Sequence, residues 1–77
     1  MLEEALAYVD KAIASSEDLT RDVVDVVFQN KIEILLALER DQEAYGLCYQ
    51  VRRSYEGLEF FNKIAATEAY KKWDREN

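Results

Sequence analysis

Tyr45, Tyr49, Arg52 and Arg53 stand at offsets of four, seven and eight residues from the first of them, a spacing that puts all four along one side of a helix. Their chemistry is recognition. A tyrosine ring offers broad apolar area with a polar tip, a guanidinium offers a planar fork of donors, and both are enriched at the energetic centres of protein interfaces. The same residues could instead be used internally, with the rings packed on a neighbouring helix or the chain's own tail and the arginines paired with Glu56 or Glu59. A second set, Asp18, Asp22, Asp25, Gln29 and Glu33, is spaced by four, three, four and four and makes an acidic stripe. A straight helix cannot wrap such oxygens round one cation, and the glycine-bearing loop of a calcium-binding hand is absent, so no metal site is expected. The stripe reads as a solvated face or as a contact strip for a basic segment. Asp22 and Asp25 therefore join Tyr45, Tyr49, Arg52 and Arg53 as candidate partner-binding residues.

Other chemistries lack their parts. The chain has no histidine and one cysteine, Cys48, so the usual general base, an internal disulfide and a cysteine-based zinc site are all excluded. Cys48 lies on an apolar stripe and reads as a small core residue, with Arg52 four residues on as the one group able to lower its thiol pKa. No nucleophile–base pair or glycine-rich phosphate loop can be assembled. The expectation is a protein that is not an enzyme and needs no cofactor.

Charge narrows the partners. The formal net charge is −6, which argues against non-specific nucleic-acid binding and against docking on anionic lipid. Residues 1–44 hold four Lys/Arg against eleven Asp/Glu, a net of −7, whereas residues 45–77 hold six against five, a net of +1. The acidic half suits a basic partner, or the other half of a second copy. No apolar run approaches the ~20 residues of a membrane span, the first residues do not read as a signal peptide, and cysteine usage fits a reducing, cytoplasmic setting.

The elements that must position these residues are helices. Proline is absent, glycine occurs only at 46 and 57, and no segment alternates in the manner of a strand. Apolar residues recur at three-to-four spacing, predicting helices over about 2–15, 20–39 and 42–55, with short ones over 58–64 and 67–74. Thr20 is expected to cap the second helix, with Leu19 and Val24 as a hydrophobic staple; Asp41 and Thr67 are expected caps of the third and fifth. The predicted inward stripes are Val24, Val27, Phe28, Ile32, Leu35, Leu36 and Leu38, then Ala44, Leu47, Cys48, Val51 and Tyr55. Gly57 should mark a helix end or kink. Short connections lay successive helices side by side, so the chain is expected to be a single all-α domain over 1–77, a stack of antiparallel hairpins with an aromatic C-terminal cap (Phe60, Phe61, Ile64, Tyr70, Trp73).

The segment "ILLALERDQEAYGLCYQVRRSYE" resembles the middle of a tetratricopeptide repeat, in which one helix turns into a second that carries small and aromatic residues at fixed spacing. Ala44 matches the small residue at the helix crossing, Cys48 the following aromatic slot, Val51 the second small slot and Phe28 the large slot on the first helix. "EEALAYVDKAIASS" resembles the second helix of a preceding repeat, with Ala5, Val9 and Ala12 at the offsets of Ala44, Cys48 and Val51. Departures are present: Ala5 and Ala44 lie 39 residues apart, against about 34 in the family. Lys31 and Ile32 replace leucine followed by glycine or alanine, Arg52 stands where an apolar residue is common, and Glu56–Gly57 replaces the usual proline. The resemblance covers about residues 2–56, one and a half repeats. "FFNKIAATEAYKKW" in turn resembles C-terminal segments of helical-repeat modules in bacterial immunity proteins.

What the repeat resemblance implies is a protein–protein interaction module whose groove takes a protein or peptide, and since half a repeat lacks its partner helix, something must complete it. The other readings are a small self-associating protein, with Leu2, Leu6, Tyr8 and the tail aromatics at a homodimer boundary, and a piece of a longer helical-repeat protein.

Overall fold

A computed structural model describes residues 1–15 and 20–77, leaving aside the Ser15 side chain. The amphipathic stretches become α1 (Leu2–Ser15), α2 (Arg21–Ala37), α3 (Asp41–Ser54), α4 (Glu59–Ala65) and α5 (Glu68–Glu76). The fold is all-α, with no strand among the described residues. Leu19 and Asp18, expected in a staple and in the acidic stripe, lie outside those residues.

Two threonines start helices as their chemistry predicts. Thr20 is extended (φ −70°, ψ 161°) and its Oγ1 accepts the Val23 N–H at 3.3 Å, satisfying one of the donors that a helix start leaves open. Thr67 accepts the Tyr70 N–H at 3.3 Å and donates its own hydroxyl to the Ile64 carbonyl at 2.7 Å. That one side chain ties the end of α4 to the start of α5.

The α2–α3 junction differs from expectation. Helix α2 ends at Ala37, and α3 begins at Asp41 with Arg40, not Asp41, in the N-cap position and no side-chain capping bond. The cause is backbone geometry: the Arg40 N–H bonds to the Leu35 carbonyl and the Glu39 N–H to the Leu36 carbonyl, the paired bonds of a Schellman turn, which needs a left-handed residue after the cap. Glu39 fills that position at φ 60°, with a side chain where glycine is usual. The turn uses up Glu39 and Arg40, so Asp41 falls inside the helix, where it and Glu43 still oppose the dipole of the first turn. Arg52 and Arg53 do the same in the last turn. Beyond α3, Gly57 is left-handed at φ 76°. The Arg21 guanidinium donates to the Glu56 carbonyl at 2.8 Å and would stand 2.9 Å from a Cβ at position 57.

The core is built mainly from the middle and end of the chain. Val24, Ile32 and Leu35 of α2, Ala44, Cys48 and Val51 of α3, and then Leu58, Phe61 and Tyr70 are buried, with Leu6 the one such residue among the described side chains of α1. Phe28, Leu36, Leu38, Leu47 and Tyr55 pack against them half-buried. Helix α3 packs closely against α2, α4 and α5, whereas among the described helices the backbone of α1 comes close to α2 alone. The molecule measures 33 × 29 × 18 Å, and its short dimension is less than two helix diameters of about 10–12 Å, so each helix keeps a side toward solvent.

The two left-handed positions predict opposite responses. Glu39→Gly should raise stability by roughly 0.5–1 kcal/mol by relieving Cβ strain in the turn. Gly57→Ala should lower it by about 1–2 kcal/mol, through strain and displacement of Arg21. Urea midpoints of the two variants against the parent chain check both signs.

Candidate functional site

The Tyr/Arg side of α3 carries the richest recognition chemistry in the sequence, and the structure covers much of it with the chain's own tail. The Tyr45 ring meets Tyr70 edge-on at 5.7 Å and Trp73 at 6.2 Å, and Tyr49 meets Trp73 at 6.3 Å. Tyr70 and Trp73, three residues apart on α5, are themselves in contact at 5.4 Å. Such edge and tilted arrangements suit the ring quadrupoles and add about 0.5–1.5 kcal/mol per pair beyond area burial. Arg52 donates from Nε to the Asn62 side-chain oxygen at 3.1 Å. Arg53 lies over the Tyr49 ring at 5.7 Å. Neither arginine pairs with Glu56 or Glu59; Glu59 faces Lys63 at 3.4 Å instead. Tyr45 is therefore a half-buried packing residue, while Tyr49, 37% exposed, and Arg53 keep an outward edge.

Beneath this cluster sits Cys48, fully buried, its thiol donating to the Phe61 carbonyl at 3.4 Å. Burial pushes the thiol up to about 11, and the nearby Arg52 offsets only part of this. The lowering that Arg52 could have produced is overturned, because removing the sulfur from water penalises the thiolate more than one guanidinium favours it. Burial also raises the pKa of Tyr45 and Tyr70. The Tyr70 hydroxyl is enclosed without a hydrogen-bond partner of normal geometry; the Arg52 guanidinium nearby favours its ionised form but directs its Nε to Asn62.

Asp22 and Asp25 are not brought to the tyrosines. They sit on α2, which makes no contact with α5. Asp25 lines a depression with Gln29, Glu59, Phe60 and Lys63, and Gln29 donates to Glu33 at 3.3 Å. Asp25 and Gln29 thus lie beside α4, whereas Glu33 lines a depression against α1, so the stripe is divided between two flanks and away from the α3–α5 cluster. Among the described residues no group of three or more metal-ligating side chains comes together, and no helix is long and apolar enough to cross a membrane.

Two further concave surfaces have largely apolar linings. One is a trough along α2 and α3: a depression of about 370 Å³ lined by Leu6, Asp10, Lys31, Leu35, Arg40, Glu43, Gly46, Leu47 and Gln50 adjoins another of about 260 Å³ that shares Leu47 and Gln50 and continues to Val24, Phe28 and Tyr55. Its rim charges are already matched. Lys31 bridges to Asp10 of α1 at 2.5 Å, and Arg40 pairs with Glu43, holding the Glu43 carboxyl below its usual range. No family model matches the chain, and neither does any curated protein or solved structure.

The second is a depression of about 430 Å³ on the opposite flank of α1, lined by Leu2, Ala5, Tyr8, Val9, Asn30, Glu33 and Ile34. Two of its lining residues are large apolar side chains left in water, Tyr8 at 77% and Leu2 at 42% exposed, and Val26 (61%) and Val23 (37%) stand one and two turns before the lining Asn30 on the same side of α2. Sequence reasoning marked Leu2 and Tyr8 but missed Val23 and Val26. The signal was available in "DVVDVVF", since four valines cannot all face one narrow core stripe on a helix.

Cys48 sets a pH dependence. An unfolded thiol titrates near pH 9 and the folded one near 11, so between those values the folded state holds more protons and stability must fall as pH rises, by roughly 2 kcal/mol. The urea midpoint should be flat from neutrality to pH 9 and then decline. In Cys48→Ala the decline should begin only above about pH 10, where the buried tyrosines with raised pKa act in the same direction. An unchanged onset in that variant would contradict the assignment.

Proposed function

We propose that this chain is a non-enzymatic, tetratricopeptide-like interaction module that binds a protein or peptide partner along a helical face. The observation that carries this reading is the unequal treatment of the two ends of the helix stack. Beyond α3, the aromatic residues of α4 and α5 fold back and cover the outer side. At the other end α1 lies backbone-to-backbone against α2, with no other described helix so close, and Leu2, Tyr8, Val23 and Val26 stand exposed. Isolated exposed apolar residues are ordinary, but several along one helix pair, two of them lining a concave depression, are the usual mark of a contact surface. Ala44, fully buried where α3 meets its neighbours, suits the small residue that the family resemblance puts at the helix crossing, where it lets helix axes approach.

Self-association is the second reading, and the exposure of Leu2 and Tyr8 is what favours it. Leu6 and the tail aromatics, the other residues expected at such a boundary, are engaged inside the molecule. Light scattering behind a sizing column over a hundred-fold dilution separates the two. The interaction-module reading expects a folded species at the 9.0 kDa chain mass throughout. A dimer that survives dilution and splits on Val26→Glu would assign the face to a second copy instead.

A further inference from the structure

We infer that the α1–α2 face takes a basic amphipathic helix, a proposal that rests on the interaction-module reading and names its site and partner chemistry. The apolar strip has two parts: Leu2 and Tyr8 of α1 line the depression, and Val26 and Val23 stand one and two turns before the lining Asn30 on the same side of α2, all four exposed. Its border is acidic. On α2, Asp22 lies one turn before Val26 and Glu33 two turns after it, and Glu33 lines the same depression as Leu2 and Tyr8. On α1, Glu4 lies one turn before Tyr8, and all three carboxylate residues are exposed. Lys11, exposed and one turn after Tyr8 on α1, is a cation beside them. The nearby Arg21 and Lys31 are turned elsewhere, to the Glu56 carbonyl and to Asp10.

An apolar strip edged by carboxylates is complementary to a helix with one apolar face and lysines or arginines beside it. A second copy fits less well, because it would bring the same carboxylates against one another in a chain whose net charge is already −6. The size is also suitable. From Val23 to Glu33 the strip follows α2 for about three turns, ~16 Å, which a helix of similar length can cover. The opposite trough lacks this polarity, since its rim charges are paired within the chain.

The test uses the whole chain and three synthetic peptides of about 18 residues. One carries leucines at i, i+3, i+4 and i+7 with lysines between, one the same leucines with glutamates between, and one the first composition scrambled. Affinity is read by fluorescence anisotropy, and the site by amide shift changes. The expected result is binding of the patterned lysine peptide, at least about tenfold tighter than either control and weakened about tenfold or more between low and high salt. Shifts should centre on Leu2, Tyr8 and Val26. Val26→Glu should abolish binding although it adds a negative charge, and Asp22→Lys with Glu33→Lys should weaken it at least about tenfold, with circular dichroism confirming that both variants fold. Equal affinity for the lysine and glutamate peptides, unchanged affinity in Val26→Glu, or no binding by any peptide overturns the proposal. Binding that maps instead to Tyr49 and Arg53 overturns this face and leaves the module reading standing. A persistent dimer split by Val26→Glu overturns both.

Discussion

Almost every element of this molecule is positioned by the close approach of other helices to α3. Ala44 and Cys48 present little bulk and are wholly buried, so α2 can approach from one side and Phe61 of α4 from another, near enough for the Cys48 thiol to meet the Phe61 carbonyl. A larger side chain at either position would push one neighbour away, because packed interiors transmit a methylene's worth of volume directly into displacement. The consequences run outward. With α4 seated, the Thr67 hydroxyl bonded to Ile64 sets where α5 starts, and α5 then delivers Tyr70 and Trp73 onto Tyr45 and Tyr49. The aromatic cap follows from small residues in α3 as much as from the tail's own rings.

This arrangement explains why a helix can look two-faced in sequence without having a free second face. Helix α3 is contacted by three others, so both its small-residue stripe and its tyrosine stripe are used for packing. Periodicity showed both stripes. It could not distinguish an aromatic side awaiting a partner from one that meets the chain's own last helix, because that depends on how a long-range turn aims α5. The tail aromatics were equally legible as a cap, but their targets on α3 were not. The arginines illustrate the same limit. Their nearest acidic residues in sequence, Glu56 and Glu59, are not their partners; Arg52 reaches Asn62 and Arg53 a ring, since the chain reverses at Gly57.

Local signals were read well where one residue's chemistry decides the geometry. Thr20 and Thr67 cap as their hydroxyls predict, and Gly57 takes the left-handed backbone that only glycine adopts without strain. The end of α2 was misjudged for the converse reason. A Schellman turn formed on glutamate carries no glycine to announce it, and Glu39 accepts an unfavourable φ because the two carbonyls it helps satisfy would otherwise lack partners. A sequence cannot show which local cost a fold will tolerate for a gain elsewhere.

The same asymmetry bears on how α1 would behave when bound. Helix α1 has 14 residues, short of the length at which isolated helices are reliably stable in water, and among the described residues its backbone packs closely on α2 alone, with Leu6 buried and an ion pair to Lys31 that is half in solvent. Such a pair adds at most about 1 kcal/mol. Elements of this kind open with less free energy than the core does, so any occupant of the α1–α2 face acts on two equilibria at once. It covers Leu2 and Tyr8, and it also shifts α1 toward its docked position by its preference for that state. The helices beyond α3 are already closed by their own aromatics and have little to gain from the same event. Coupling between binding and order therefore belongs at the α1 end, where exposed apolar surface and slight anchorage coincide.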